Sequence, residues 1–138
     1  MEQNPEQIFD PVRRKRVAVT PEEIVRQRLI MHLHEKCSVP YELMSCEYYF
    51  TINGNRFRSD LVVFGREGYP LLAAECKAPQ IKIDGKVFGQ ILTYNHKLQV
   101  KYLLLTNGSS TFCAKYTGGE NNYEFLDSIP QYDELSRL

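Results

Sequence analysis

The chain has 138 residues, 43% hydrophobic and 25% charged, enough for one compact domain with a core of its own. Its 17 Lys and Arg balance 17 Asp and Glu, so no global field recruits a polyanion, and any contact with nucleic acid has to come from local basic patches. The four cysteines, Cys37, Cys46, Cys76 and Cys113, are widely spaced with no CxxC pair, which speaks against a zinc ribbon, a thioredoxin-type site or a disulfide scaffold.

These cysteines read as reduced thiols of a cytoplasmic protein. The first ten residues, "MEQNPEQIFD", are polar and acidic, without the apolar segment of a signal peptide. No apolar run approaches the roughly 20 residues that span a bilayer, so no membrane association is expected. Residues 1–19 lack strong periodicity and are expected to form an N-terminal arm. Its basic cluster Arg13, Arg14, Lys15 and Arg16 is either a solvated, mobile stretch or a set of phosphate contacts to DNA. A single domain is expected over 20–138.

The domain opens with "TPEEIVRQRLIMHLHEK". Thr20 is a good N-cap, Pro21 suits the first helical position and Glu23 completes a capping box. A helix is therefore predicted over about 21–36, with Ile24, Leu29, Ile30 and Leu33 on one face. "SVPYE" breaks it. "CEYYFTI" is aromatic and β-branched, hence a strand. "NGN" is a hairpin signal, "RFRSDLVVF" the return strand, and "GREGYP" a second turn. The continuous apolar run of "LLAAECKA" suggests a third, central strand.

"DGKVFGQILTYNHKL" reads as a second helix, capped by Asp84, with Val87, Ile91 and Leu98 compatible with a buried stripe. "KYLLLTNG" is a fourth strand, and "TFCAKY" and "YEFL" a terminal strand pair. The strand–helix–strand passage implies a parallel, right-handed crossover between the third and fourth strands. The class is α/β: a mixed β-sheet flanked by helices.

The third strand ends in opposite charges. Glu75 and Lys77 are two apart, so on a strand they share a face. A register that sets Asp60 beside Glu75 gathers two carboxylates and an ammonium at one edge of the core, which is costly unless something binds them. A divalent hard cation is the natural partner of two carboxylates. A lysine can contact a phosphate or help position a water. On the second helix Gln90 and Tyr94, at i and i+4, share a face, and Gly89 leaves room for a ligand to approach. Glu22 or Glu23 of the first helix could also reach the site. His32 and His34 do not share a helical face, and His96 stands alone, so spacing yields no histidine metal pair.

"SD" at 59–60 and "ECK" at 75–77 resemble the PD-(D/E)xK nuclease signature, and the predicted element order is similar to that superfamily's restriction-endonuclease-like core. "QILTY" at 90–94 resembles the QxxxY motif of its RecB-like and type I restriction branches. "IFDPVRRKRVAVTPEEIVRQRLI" narrows the resemblance to the N-terminal domain of type I restriction enzyme R subunits, in a stand-alone short form, over roughly 8–115. Ser59 stands where the signature often has proline.

The resemblance implies a Mg²⁺- or Mn²⁺-dependent endodeoxyribonuclease. Asp60, Glu75 and the backbone carbonyl of Cys76 would be metal ligands, with Glu23 as an additional helical acid. Lys77 would be the catalytic lysine, and Gln90 and Tyr94 an accessory pair. DNA is the implied partner, with a second copy or motor and specificity subunits beside it. The chain lacks a GxxxxGK[ST] sequence, so ATP dependence is not carried over. The residues also allow a DNA- or protein-binding module on the same fold that does not cut, or a structural module in which the charges pair with one another.

Overall fold

The computed structural model describes residues 6–98, 100–118 and 122–137, with the side chains of 93–98 outside the description. Helix α1 spans Pro21–Cys37, beginning where the sequence places it, because the Thr20 side chain accepts the Glu23 N–H at 3.0 Å. The other half of the capping box is not used in the expected way. The Glu23 carboxylate is taken by Arg13 and Gln27 instead. At the far end Ser38 turns left-handed (φ 61) and closes the helix.

Strands β3 (Met44–Ile52) and β4 (Asn55–Phe64) form the expected hairpin. Asn53 and Gly54 both have positive φ, 50 and 81, as a primed two-residue turn requires. β5 (Pro70–Cys76) returns antiparallel to β4. Helix α2 (Gly85–Leu98) is capped by Asp84, whose carboxylate accepts the Val87 N–H at 2.9 Å. It leads to β6 (Tyr102–Thr106), which pairs parallel with β5. β7 (Thr111–Tyr116) and β8 (Tyr123–Leu126) complete a mixed sheet in the order β3-β4-β5-β6-β7-β8. The α/β expectation and the order of its elements hold.

Two apolar layers flank this sheet. On one side α1 packs Val25, Leu29, Ile30 and Leu33 against Leu61, Leu72, Ala74, Cys76 and Leu104. On the other, Phe88 and Leu92 of α2 pack against Val62, Ala73, Leu103 and Leu105. β5 and β6 are buried on both faces, which explains their unbroken apolar runs. A short helix α3 (Tyr132–Leu135), not foreseen from the sequence, adds Tyr132 and Leu135 to the α1 layer.

The N-terminal stretch corrects the arm expectation. Residues Gln7–Asp10 (β1) and Lys15–Ala18 (β2) pair as an antiparallel hairpin. Asp10 is 0% exposed. Its carboxylate accepts the backbone N–H of Val12 at 2.7 Å and pairs with the Arg13 guanidinium. Arg13 also bonds Glu23 on α1 at 2.6 Å. Arg13 is therefore not free for phosphate, because burying Asp10 demands a cation beside it. Arg14, Lys15 and Arg16 face solvent.

A second departure lies inside β3. Met44 and Cys46 pack on the α1 side, whereas Tyr48 and Phe50 pack on the α2 side. Strict alternation would put all four on one face. Glu47 between them adopts φ 54, and this left-handed residue turns the strand over.

Candidate active site

The carboxylates meet where β4 and β5 part. The last paired residues there are Leu61 and Ala74. One step further, Asp60 faces Glu75. Asp60 is 5% exposed, and its Oδ2 accepts the Cys76 N–H at 2.7 Å. The residue before it, Ser59, donates to the carbonyls of Ala74 (3.1 Å) and Leu61 (3.2 Å). Ser59 thus ties the two strands at the point where proline often stands in the signature.

Glu75 is half-buried beside Asp60. Burial pushes its carboxyl up to about 7. The Asp60 charge adds to the rise, as does Glu22, and Lys77 opposes it. Glu75 thus keeps its proton to a higher pH than an isolated carboxylate would. Lys77 follows immediately, with its backbone N–H on the Thr106 carbonyl at 2.9 Å, which extends the β5–β6 ladder past the end of the strand.

Helix α1 presents two acids, with different roles. Glu23, the expected additional ligand, is 7% exposed and committed to Arg13, Gln27 and, at 3.7 Å, Arg26. Glu22 is the one whose charge reaches Glu75 and Cys76. Glu23 is thus tied to the N-terminal hairpin and its own helix, and of the two neighbours it is Glu22 whose charge acts on Glu75.

Sequence reasoning missed Arg26. It is 5% exposed, and its Nε and Nη1 have no hydrogen-bond acceptor. It lies 3.7 Å from Glu47 and feels Asp60. The signal was present, since Arg26 sits four residues before Ile30 on the buried stripe, where a charge needs a reason. Glu47, left-handed, stands opposite Asp60 in the β3–β4 register, between the pairs Cys46–Leu61 and Tyr48–Ser59.

A cleft of about 490 Å³ opens beside the carboxylates. Its lining includes Glu75, Lys77, Arg56, Arg58, Phe50 and Phe57. Of the α2 residues, Ile91 reaches it, and Gln90 is exposed on the helix beside it. The Tyr94 side chain lies outside the described residues. An added Cβ at Gly89 would meet no atom within 4 Å, so space there is open as expected. His34 is a satisfied structural residue, stacked on Tyr41 at 3.7 Å with Nδ1 2.9 Å from the Val39 carbonyl oxygen.

Among the described residues no three His, Cys, Asp or Glu side chains gather into a metal-binding group. Two carboxylates, Asp60 and Glu75, face each other here. This suits Mg²⁺, which keeps several waters and completes its shell from substrate phosphate, and it does not suit zinc, which asks for three or four protein ligands. Cys37, Cys46, Cys76 and Cys113 are free thiols. Burial pushes Cys46 up to about 11 and Cys113 to about 12, so neither is a nucleophile. No helix among the described residues is long and apolar enough to cross a membrane.

Comparison with known proteins gives a family match and a likeness in fold. The family model described as "Type I restriction enzyme R protein N terminus (HSDR_N)" matches residues 21–130. A solved fragment described as an HsdR subunit of a type I restriction enzyme from Vibrio vulnificus YJ016 superposes with a TM-score of 0.62 at 22% identity. The match covers 85% of this chain and 24% of that one, and at this identity it speaks to fold. No curated protein matches the chain.

Proposed function

The chain belongs to the type I restriction enzyme R protein N-terminal family, and on that premise we propose that it is a metal-dependent endodeoxyribonuclease of the PD-(D/E)xK kind, acting in the cytoplasm on DNA. The observation that carries this reading is the Asp60–Glu75 pair, two partly desolvated carboxylates that face each other where β4 and β5 part, next to Lys77. Such a pair is stable in its charged form only with a cation between its members.

Asp60, Glu75 and the Cys76 carbonyl would hold Mg²⁺ or Mn²⁺, with Glu22 near enough to add to the field. The bound ion would supply Lewis-acid polarisation of a phosphoryl oxygen and a more acidic water. The protein's own contributions are positional. The Cys76 N–H fixes one Asp60 oxygen, so the carboxylate is presented in one orientation. Lys77, anchored by its backbone to β6, stabilises charge developing on the phosphate and orients the attacking water. Gln90 and Tyr94, one turn apart on α2, position the DNA. Arg14, Lys15 and Arg16 remain available for outer phosphate contacts. A motor, specificity subunits or a second copy would supply translocation, sequence choice and the cut on the second strand.

The test is supercoiled plasmid incubated with purified protein and Mg²⁺ or Mn²⁺, beside Asp60→Ala, Lys77→Ala and an EDTA control. Nicking by the wild type should fall at least about 100-fold in both variants and vanish in EDTA. Equal cutting by wild type and variants would refute the assignment. A well-folded protein that binds DNA and never cuts would favour a binding module on the same fold.

A further inference from the structure

The sheet contacts that fix β4 begin only at Leu61, where β5 joins it. Before that point β3 and β4 pair with each other alone, through Tyr48–Ser59, Tyr49–Arg58, Phe50–Phe57 and Thr51–Arg56. Residues 48–59 thus form a two-stranded ribbon that stands out beside the carboxylates. The ribbon and the site share one cleft, whose lining carries three cations, Arg56, Arg58 and Lys77, against one acid, Glu75. In a chain with no net charge this local excess selects an anion. Arg56 carries its guanidinium 3.9 Å above the Tyr49 ring, on the ribbon's outer face, because Tyr48 and Phe50 on either side of Tyr49 pack toward α2. The same cleft has an apolar wall: Phe50 and Phe57 stand opposite each other in register, with Ile91 and Leu103 behind.

Phosphate-binding arginines, aromatic rings and a space of about 490 Å³ together fit one kind of polymer. We propose that the cleft takes a single strand of DNA, with Arg56 and Arg58 on its phosphates and the Phe50–Phe57 pair against an unstacked base, leading the strand to Glu75 and Lys77. The inference rests on the nuclease reading for what happens at the end of the path. A duplex hides its base faces in the stack and would use only the arginines. A single strand uses the rings as well, which is how sequence-tolerant single-strand sites gain affinity.

The test measures binding without cutting: fluorescence anisotropy of the full chain in EDTA, with labelled oligo(dT) and a blunt duplex of equal length. Oligo(dT) should bind at least about tenfold more tightly than duplex. The Arg56→Gln/Arg58→Gln double variant, altered only at exposed positions, should bind oligo(dT) about tenfold or more weakly. Its slope of log K against log salt should flatten by about 1.4, two single-strand phosphates' worth. Phe57→Leu, which keeps an apolar side chain, should weaken oligo(dT) binding about fivefold and leave duplex binding unchanged. Duplex bound as tightly as oligo(dT), or a double variant that binds like the wild type, overturns the inference. Binding and cutting fail separately. Protein that nicks plasmid but shows no single-strand preference removes this inference and keeps the nuclease, and protein that grips oligo(dT) through the arginines but never nicks does the reverse.

Discussion

Glu75 is an acid kept partly protonated by its surroundings, and this gives the metal-free protein a definite pH behaviour. Its folded value, about 7, lies above the ordinary 4.5. Between those two values the unfolded chain has released a proton that the folded chain still holds, so stability falls as pH rises through that window. The contribution is on the order of 1–3 kcal/mol. Thermal melts in EDTA should show a lower Tm at pH 8 than at pH 5.5, and Glu75→Gln should flatten most of that step. Added Mg²⁺ should stabilise more at pH 8, where the pair is charged, than at pH 5.5. A flat profile in the wild type would mean that the Glu75 carboxyl is not raised in the folded protein. Asp60, Glu75 and Lys77 were legible in the sequence because strand period and hairpin turns fix which residues stand opposite. The choice between Glu22 and Glu23 was not, because a capping box does not reveal where a carboxylate goes once a buried arginine competes for it.

The N-terminal hairpin shows the same limit one level up. β1 and β2 are four residues each, too short for alternation to stand out, and their turn carries the basic run that suggests a solvated arm. What orders them is a charge chain from Asp10 through Arg13 to Glu23, with Arg26 beyond it. Burial alone would raise the Asp10 carboxyl, but the Arg13 hydrogen bond and the backbone N–H groups of Val12 and Arg13 bring it below its ordinary range. Arg13→Ala would leave the wholly buried Asp10 without its cation and should cost about 2–4 kcal/mol by chemical denaturation. Lys15→Ala, an exposed position, should change stability by less than about 0.5 kcal/mol. Comparable costs for the two would show that the hairpin hangs free. The longer elements were legible because each carries its own punctuation: Thr20 and Asp84 as caps, Asn53-Gly54 as a turn. α3, with four residues, carries none.

At the scale of the whole molecule, the order of the main sheet follows from connection lengths and apolar runs, both of which are plain in the sequence. The family match over 21–130 covers that sheet, while the folded unit is wider: β1–β2 joins α1 through Arg13, and Leu135, 0% exposed, closes the α1 layer. The turn-over at Glu47 was invisible in the sequence, since nothing in "SCEYYF" marks a left-handed residue. Beside it the β3–β4 hairpin divides into a base, where β4 is held between β3 and β5, and a ribbon, where the two strands have only each other. The two parts should differ in how often they open. In native-state hydrogen exchange, ribbon amides from 48 to 58 should exchange through local opening, at least about 100-fold faster than those of Leu61–Val63, which open only with the whole domain. The molecule then behaves as a rigid block with a breathing lip, and an oligonucleotide in the cleft should slow the lip and leave the block unchanged.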